Sequence, residues 1–211
     1  MSLGPAVSRK LLVAALVGAL AAGCGKAQKK YKPEKVAPAL QANVLDAVPS
    51  DIQHRLFTDF GGKVHLLGYN LEPEGVVAPG KKFKLTMYWQ PISRLGPGWK
   101  LFTHILDASG RLVANDDNEG PLRTLQNNDQ ALPPSKWQRG KVYVDEQDIE
   151  VPAKVESPEI TVTVGIWRGN TRLDVLSGLS DGKHRGIVAH VKTGLVPPKP
   201  APAPTKPPKK S

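Results

Sequence analysis

Hydrophobic and polar residues alternate in short runs between residues 51 and 193, and turn-forming residues separate these runs. A period of two residues is typical of a β-strand that buries one face. The clearest example is residues 82–90, in which every second residue from Phe83 to Trp89 is apolar. The pattern predicts about eight strands, at residues 64–71, 82–90, 99–107, 111–114, 141–151, 159–167, 171–176 and 186–191.

The turn signals between the runs combine glycine with proline, serine, asparagine or aspartate, and no long amphipathic helix interrupts the series. These residues favour tight turns because glycine and asparagine accept a positive φ angle. Short strands joined by such turns predict an all-β fold, an antiparallel β-sandwich of the immunoglobulin-like or jelly-roll-like kind. A sandwich of about 140 residues buries roughly two-thirds of the surface of its unfolded chain, which is enough to fold without disulfides.

Several motifs within residues 56–176 carry a resemblance to a known module: LLGYNL, APGKKFKLTMYWQP, FTHILDASGRLVANDD, WQRGKVYVDEQDIEVP and TVGIWRGNTRL. They are similar to the extracytoplasmic β-sandwich module that follows the membrane spans of some dolichol-type (mannosyl/arabinosyl-like) glycosyltransferase homologues, and that also occurs in secreted forms. The resemblance implies an immunoglobulin-like or jelly-roll-like sandwich without catalysis of its own. The long polar segment 118–134 departs from the module, so the resemblance implies nothing about its conformation.

The N-terminus has the pattern of a secretory signal. Arg9 and Lys10 precede an uncharged apolar run, residues 11–22. Twelve residues of helix span about 18 Å, which is too short for the ~30 Å hydrocarbon core of a bilayer. The pattern therefore favours a cleaved signal over a transmembrane anchor.

Small residues 21–23 come directly before Cys24, the only cysteine of the chain. This resembles the bacterial lipoprotein signal, in which the cysteine receives a diacylglyceryl group and becomes the new N-terminus. The resemblance implies a membrane anchor of two or three acyl chains at Cys24, and Gly25 implies sorting to the outer membrane. The alternative is an ordinary signal cleaved after an alanine.

A single cysteine also excludes an intramolecular disulfide and a cysteine-rich zinc site.

The net charge of +10 comes from 29 basic and 19 acidic residues, but most of the excess lies outside the strand-rich region. Residues 51–193 hold 18 basic and 17 acidic side chains, so the sequence predicts no basic groove for nucleic acid. The predicted organisation is a cleaved signal (1–23), an acylated cysteine with a lysine-rich disordered tether (24–50), the sandwich (51–193) and a disordered proline- and lysine-rich tail (194–211).

Two tryptophans and a polar loop form the candidate binding site. Exposed indoles stack on sugar rings, since they offer flat apolar area and an N–H donor. Trp99 and Trp167 fall on strand faces or edges, and Asn115 and Asp117 belong to an oxygen-rich run. We name these four residues as a possible glycan site. The alternative is that the indoles pack at the rim of the sandwich and the polar run is a solvated turn.

The sequence predicts no enzyme, no cofactor and no metal site. The histidines lack the H-E-x-x-H spacing, the polar run lacks the D-x-D-x-D-G spacing of a calcium loop, and nucleophile and phosphate-binding motifs are absent. His104 lies in an apolar run and is interpreted as a core or rim histidine. Asp145 and Glu146 are adjacent carboxylates, but the sequence does not show whether they converge across a cleft as a glycosidase pair does.

Together these features predict a membrane-anchored envelope lipoprotein whose sandwich faces the periplasm or the cell surface. The first hypothesis for its role is a non-catalytic structural or assembly subunit that contacts other envelope proteins. The alternative is a module that binds an envelope or surface polysaccharide. The predicted partners are the membrane through Cys24, envelope proteins, and a polysaccharide or peptidoglycan; no nucleic acid is expected.

Overall fold

The protein is described by a computed structural model that covers residues 36–118, 120–123 and 131–196. Cys24, the signal, the first part of the tether and the tail from residue 197 lie outside the described residues. Neither helix within these ranges is long or apolar enough to cross a membrane. The elements in the described ranges are two 3₁₀ helices (Pro38–Asn43 and Pro134–Lys136) and strands β1 (Val44–Leu45), β2 (His54–Phe60), β3 (Val64–Glu72), β4 (Lys82–Pro91), β5 (Lys100–Asp107), β6 (Leu112–Asn115), β7 (Val142–Glu150), β8 (Glu159–Arg168), β9 (Thr171–Arg172), β10 (Val175–Ser177) and β11 (Gly186–Lys192).

The strands form two antiparallel sheets. The first sheet has the order β1-β7-β4-β3-β2-β10, and the second has the order β11-β8-β5-β6 with β9 beside β8. Every pairing within the sheets is antiparallel. The predicted all-β antiparallel sandwich is therefore confirmed.

The core lies between the sheets and follows the predicted alternation. On β4 the inward residues run from Phe83 to Trp89, and on β8 they run from Ile160 to Ile166, all almost fully buried. Trp89 packs against Phe60, with ring centroids 5.6 Å apart. Strict alternation with large apolar side chains predicts these two strands well, because one face of each is buried along its whole length.

Three strands differ from the prediction. The sequence did not predict β1 and β2, and the predicted strand 171–176 is divided into β9 and β10. The division has a topological reason, since β9 pairs with β8 in the second sheet whereas β10 pairs with β2 in the first. The chain therefore changes sheets between Arg172 and Val175, and an uninterrupted strand would not allow this crossing.

Part of the segment predicted as a tether packs against the first sheet. Strand β1 pairs with β7, where Val44 lies opposite Tyr143. Leu40 is buried, and the Asn43 side-chain amide donates a hydrogen bond of 2.9 Å to the carbonyl oxygen of Val144. The folded region therefore begins before the predicted boundary at residue 51, because long-range pairing with β7 orders a segment of weak local pattern.

Candidate functional site

Strand β7 directs two polar side chains into the interior of the sandwich. Asp145 lies opposite the inward Met87, and Gln147 lies opposite the inward Leu85. Both are buried, with 0% of Asp145 exposed. A charged group in this position is costly unless a hydrogen-bonded partner of opposite charge accompanies it.

Arg123 supplies that partner from the loop after β6. Its Nε donates to both carboxylate oxygens of Asp145 at 3.3 and 3.1 Å, and its Nη2 donates to Oδ2 at 2.6 Å. Its Nη1 donates to the Thr103 hydroxyl at 2.6 Å, and that hydroxyl donates to Gln147 at 2.8 Å. Because Thr103 is on β5 and Asp145 is on β7, this buried network joins the two sheets.

A cavity of about 690 Å³ lies beside the network, and Arg123 forms part of its wall. Its volume is in the range of about 300–1,000 Å³ that is usual for small-molecule sites. The wall combines apolar side chains with an indole and polar groups. Its residues are Lys100, Leu101, Asn115, Asp117, Asn118, Leu122, Arg123, Ala131, Pro133, Pro134 and Trp167.

A second cavity of about 480 Å³ shares three of these lining residues, Asn115, Asp117 and Trp167. It extends over the outer face of the second sheet toward His104 and Arg172. We call the two cavities together the Trp167 cleft. The structure thus brings three of the four residues of the predicted glycan site to one place.

Backbone and side-chain hydrogen bonds hold the polar groups of the cleft. Asp117 accepts the backbone N–H of Thr103 at 3.0 Å, and the Asp116 N–H donates to the Thr103 carbonyl at 3.0 Å. The Asn115 side-chain oxygen accepts the Asp117 N–H at 2.9 Å. The polar run is therefore an ordered continuation of the β5–β6 pairing.

Among the described residues, no three His, Cys, Asp or Glu side chains converge as metal ligands would.

The two candidate tryptophans have different environments. Trp167 is half-buried in the cleft wall, opposite Lys100 in the β5–β8 pairing, and the Lys100 Nζ lies 6.0 Å from the indole centroid. Its Nε1 has no hydrogen-bond partner in the described part of the chain. Trp99, by contrast, is only 8% exposed, and the Arg168 guanidinium covers its ring at 4.7 Å. Trp99 therefore packs at the rim and does not belong to the cleft.

His104 borders the cleft as a neutral, buried side chain. Its Nδ1 accepts a hydrogen bond of 3.2 Å from Arg185, and its Nε2 lies 4.0 Å from Asp117. Burial lowers the pKa of His104, with Arg172 and Arg185 adding to the effect, while Asp117 and Asp181 oppose it. An arginine can only donate, so this contact fits the imidazole with an unprotonated Nδ1.

The adjacent carboxylates Asp145 and Glu146 do not converge. Successive side chains of a strand point to opposite faces, so Asp145 faces the core whereas Glu146 is exposed on the outer face of the first sheet. This pair therefore does not have the arrangement of two carboxylates flanking one glycosidic bond.

The sequence interpretation missed Arg123, Thr103 and Gln147. The available signal was the alternation along β7. Asp145 and Gln147 occupy the same series of every second position as the apolar Tyr143 and Ile149. Two polar residues within an apolar phase indicate a buried polar network. No pattern within the loop indicated that Arg123 would meet it.

No family model and no curated protein matches the chain. The resemblance to the glycosyltransferase-associated module and the resemblance to a lipoprotein signal therefore stay predictions.

We expect Arg123→Met to lower the free energy of unfolding by about 3–5 kcal/mol, because Asp145 is left buried without its partner. The double variant Arg123→Met/Asp145→Leu should recover most of this loss, since an apolar pair needs no compensation for desolvation. Urea unfolding measures both. Arg111→Met is the control, because it removes an exposed side chain that pairs with Asp107 at 2.9 Å and should cost little. A double variant as unstable as the single one contradicts the interpretation.

We also expect His104 to make the stability depend on pH. The pKa of His104 is lowered in the folded state, whereas a histidine of the unfolded chain has a pKa of about 6.5. Between these two pKa values the unfolded chain therefore binds more protons than the folded protein. The free energy of unfolding should therefore fall as the pH decreases from about 7 through the folded-state pKa. His104→Gln should flatten this dependence, and an NMR titration of the imidazole should show the lowered pKa directly. Identical slopes for both proteins would refute the assignment.

Proposed function

We propose that the protein is a non-catalytic, lipid-anchored protein of the cell envelope that binds a glycan in the Trp167 cleft. The observation that carries this proposal is the meeting of the Trp167 indole with Asn115 and Asp117 along two adjoining cavities. Sugars present apolar ring faces together with hydroxyl groups. An indole can stack on the apolar ring face, and fixed carboxylate and amide groups can form hydrogen bonds with the hydroxyl groups.

Rigid placement of the polar groups supports a binding role. Asp117 is held by the Thr103 backbone and Asn115 by the Asp117 backbone, so neither group has to be ordered when a ligand arrives. Groups held in place before binding avoid the entropy loss of ordering them in the complex. Lys100, by contrast, is exposed at this site.

The anchor places this binding site near a membrane. Cys24 is twelve residues before Val36, the first described residue, and twelve extended residues span at most about 40 Å. Acyl chains at Cys24 would therefore keep the sandwich within about that distance of the leaflet, which the lipoprotein resemblance assigns to the outer membrane. Two or more acyl chains are sufficient for stable anchoring.

A role as an assembly subunit is the second candidate, and a different surface favours it. Phe57, Leu176 and Leu179 are 50%, 61% and 70% exposed, and all three lie at or beside the β2–β10 edge of the first sheet. Exposed apolar side chains grouped in this way are typical of protein contact surfaces. This candidate predicts that the protein copurifies with an envelope complex after gentle solubilisation.

We expect the wild-type protein to bind at least one envelope polysaccharide or peptidoglycan fragment in isothermal titration calorimetry. Trp167→Leu should weaken this binding about tenfold or more, because the loss of a stacking surface costs on the order of 1.4 kcal/mol. Phe57→Leu is the matched control, since it alters an exposed aromatic residue on the other sheet and should leave the affinity unchanged. Absence of binding across the panel, together with recovery of an envelope complex, would replace this proposal by the second candidate.

We expect cells fed an alkyne fatty acid to label the wild-type protein, and Cys24→Ala to abolish the label. The substitution removes the only thiol of the chain, so no other cysteine can accept the diacylglyceryl group. Click detection on a gel measures the label. After cell fractionation, we expect the wild-type protein in the membranes and the variant in the soluble fraction. An unlabelled wild-type protein would disprove the anchor and leave the glycan experiment unaffected.

A further inference from the structure

The Arg123 guanidinium is built into the wall of the Trp167 cleft with part of its hydrogen-bonding capacity unused. Only 2% of its side chain is exposed. A guanidinium has five N–H groups, and Arg123 uses one on Nε, one on Nη1 and one on Nη2 toward Asp145 and Thr103. One N–H on each terminal nitrogen thus has no acceptor within the described ranges. A buried donor at a cavity wall favours a ligand that supplies an oxygen.

Lys100 provides a second cationic group to the same cavity. It is exposed on β5 and contributes to the cavity wall together with Arg123 and Trp167. No carboxylate of the described residues lies within 4 Å of its ammonium group. Its charge is therefore available to a ligand that lies on the indole.

Among the described residues, the charged side chains that line the cleft, taken together with the buried Asp145, sum to one positive unit. Three cations, Lys100, Arg123 and Arg172, line its cavities. Asp117 lines them as well, and the buried Asp145 neutralises Arg123. His104 is neutral, because its buried Nδ1 accepts from Arg185. A ligand group with a single negative charge balances this set, whereas a phosphate monoester, with a charge near −2, exceeds it.

We infer that the ligand of the Trp167 cleft is an acidic glycan of the uronic acid type, with a sugar ring against Trp167 and its carboxylate directed toward Lys100 and Arg123. This inference rests on the proposed glycan-binding function and specifies its substrate class. A carboxylate is planar, carries one charge and accepts several N–H bonds, which is the chemistry that a guanidinium and an ammonium together recognise.

The test compares one oligosaccharide in two forms. Oligogalacturonate and the same oligosaccharide after reduction of its carboxyl groups are titrated into the full-length protein in detergent, and calorimetry gives both dissociation constants. We expect the uronate form to bind at least tenfold more tightly at low salt, with the preference shrinking at 0.5 M salt because exposed charges are screened. Lys100→Gln should reduce the preference to a few-fold, because the uronate form loses its contact with the ammonium group.

Lys84→Gln is the matched control, because Lys84 is exposed on the outer face of the first sheet and should leave both affinities unchanged. Lys100 is exposed as well, so neither substitution disturbs the core. Equal affinity for the uronate and the reduced form overturns the inference and leaves glycan binding standing. Loss of preference in Lys84→Gln but not in Lys100→Gln also overturns it, as does binding of neither form, and the polysaccharide panel then tests the proposed function separately.

Discussion

The buried pair of Arg123 and Asp145 is the interaction on which the rest of this structure depends. Asp145 occupies an inward position of β7, where a lone carboxylate would be strongly unfavourable. Its partner comes from the loop after β6, so the pair fastens a segment that leaves the second sheet to a strand of the first. Gly120 shows how closely this segment approaches, because a Cβ at that position would lie 2.0 Å from the Glu146 carbonyl oxygen. The pair thereby positions one wall of the Trp167 cleft.

Thr103 connects this interior pair to the cleft. Its hydroxyl group bridges Arg123 and Gln147 inside the sandwich, and its backbone N–H holds Asp117 at the cleft. One residue of β5 thus links the core network to the cleft. Hydrogen bonds in a low-dielectric interior are stronger than in water, so the network fixes the Thr103 backbone from which Asp117 accepts its hydrogen bond. The geometry of the cleft is consequently a property of the core.

The sequence was most informative where one face of a strand is buried along its length. Strands β4 and β8 satisfy this condition, and their inward residues were predicted correctly. Strand β7 does not, because Val142 and Val144 are apolar in one phase while Tyr143 and Ile149 are apolar in the other. On the outer face Val142 and Val144 pack with Leu45, Ile52, Leu67 and Tyr88, so the first half of the strand is buried on both faces and the alternation does not reveal which face is the core. Trp167, Asn115 and Asp117 were named from residue chemistry, whereas Arg123 depends on a contact 22 residues away in the chain, which no local pattern carries.

Two of the cations at the cleft, Arg123 and Lys100, differ in how a substitution would affect the stability of the protein. Arg123 is tied to Asp145, so its charge cannot be removed without leaving a carboxylate unpaired in the core. Lys100 has no such bond and stands exposed beside the indole. A substitution of Arg123 therefore affects the stability of the sandwich, while a substitution of Lys100 does not. The cleft thus combines a fixed cation in its wall with an exposed cation beside the indole, and only the exposed one can be substituted without disturbing the packing of the sandwich.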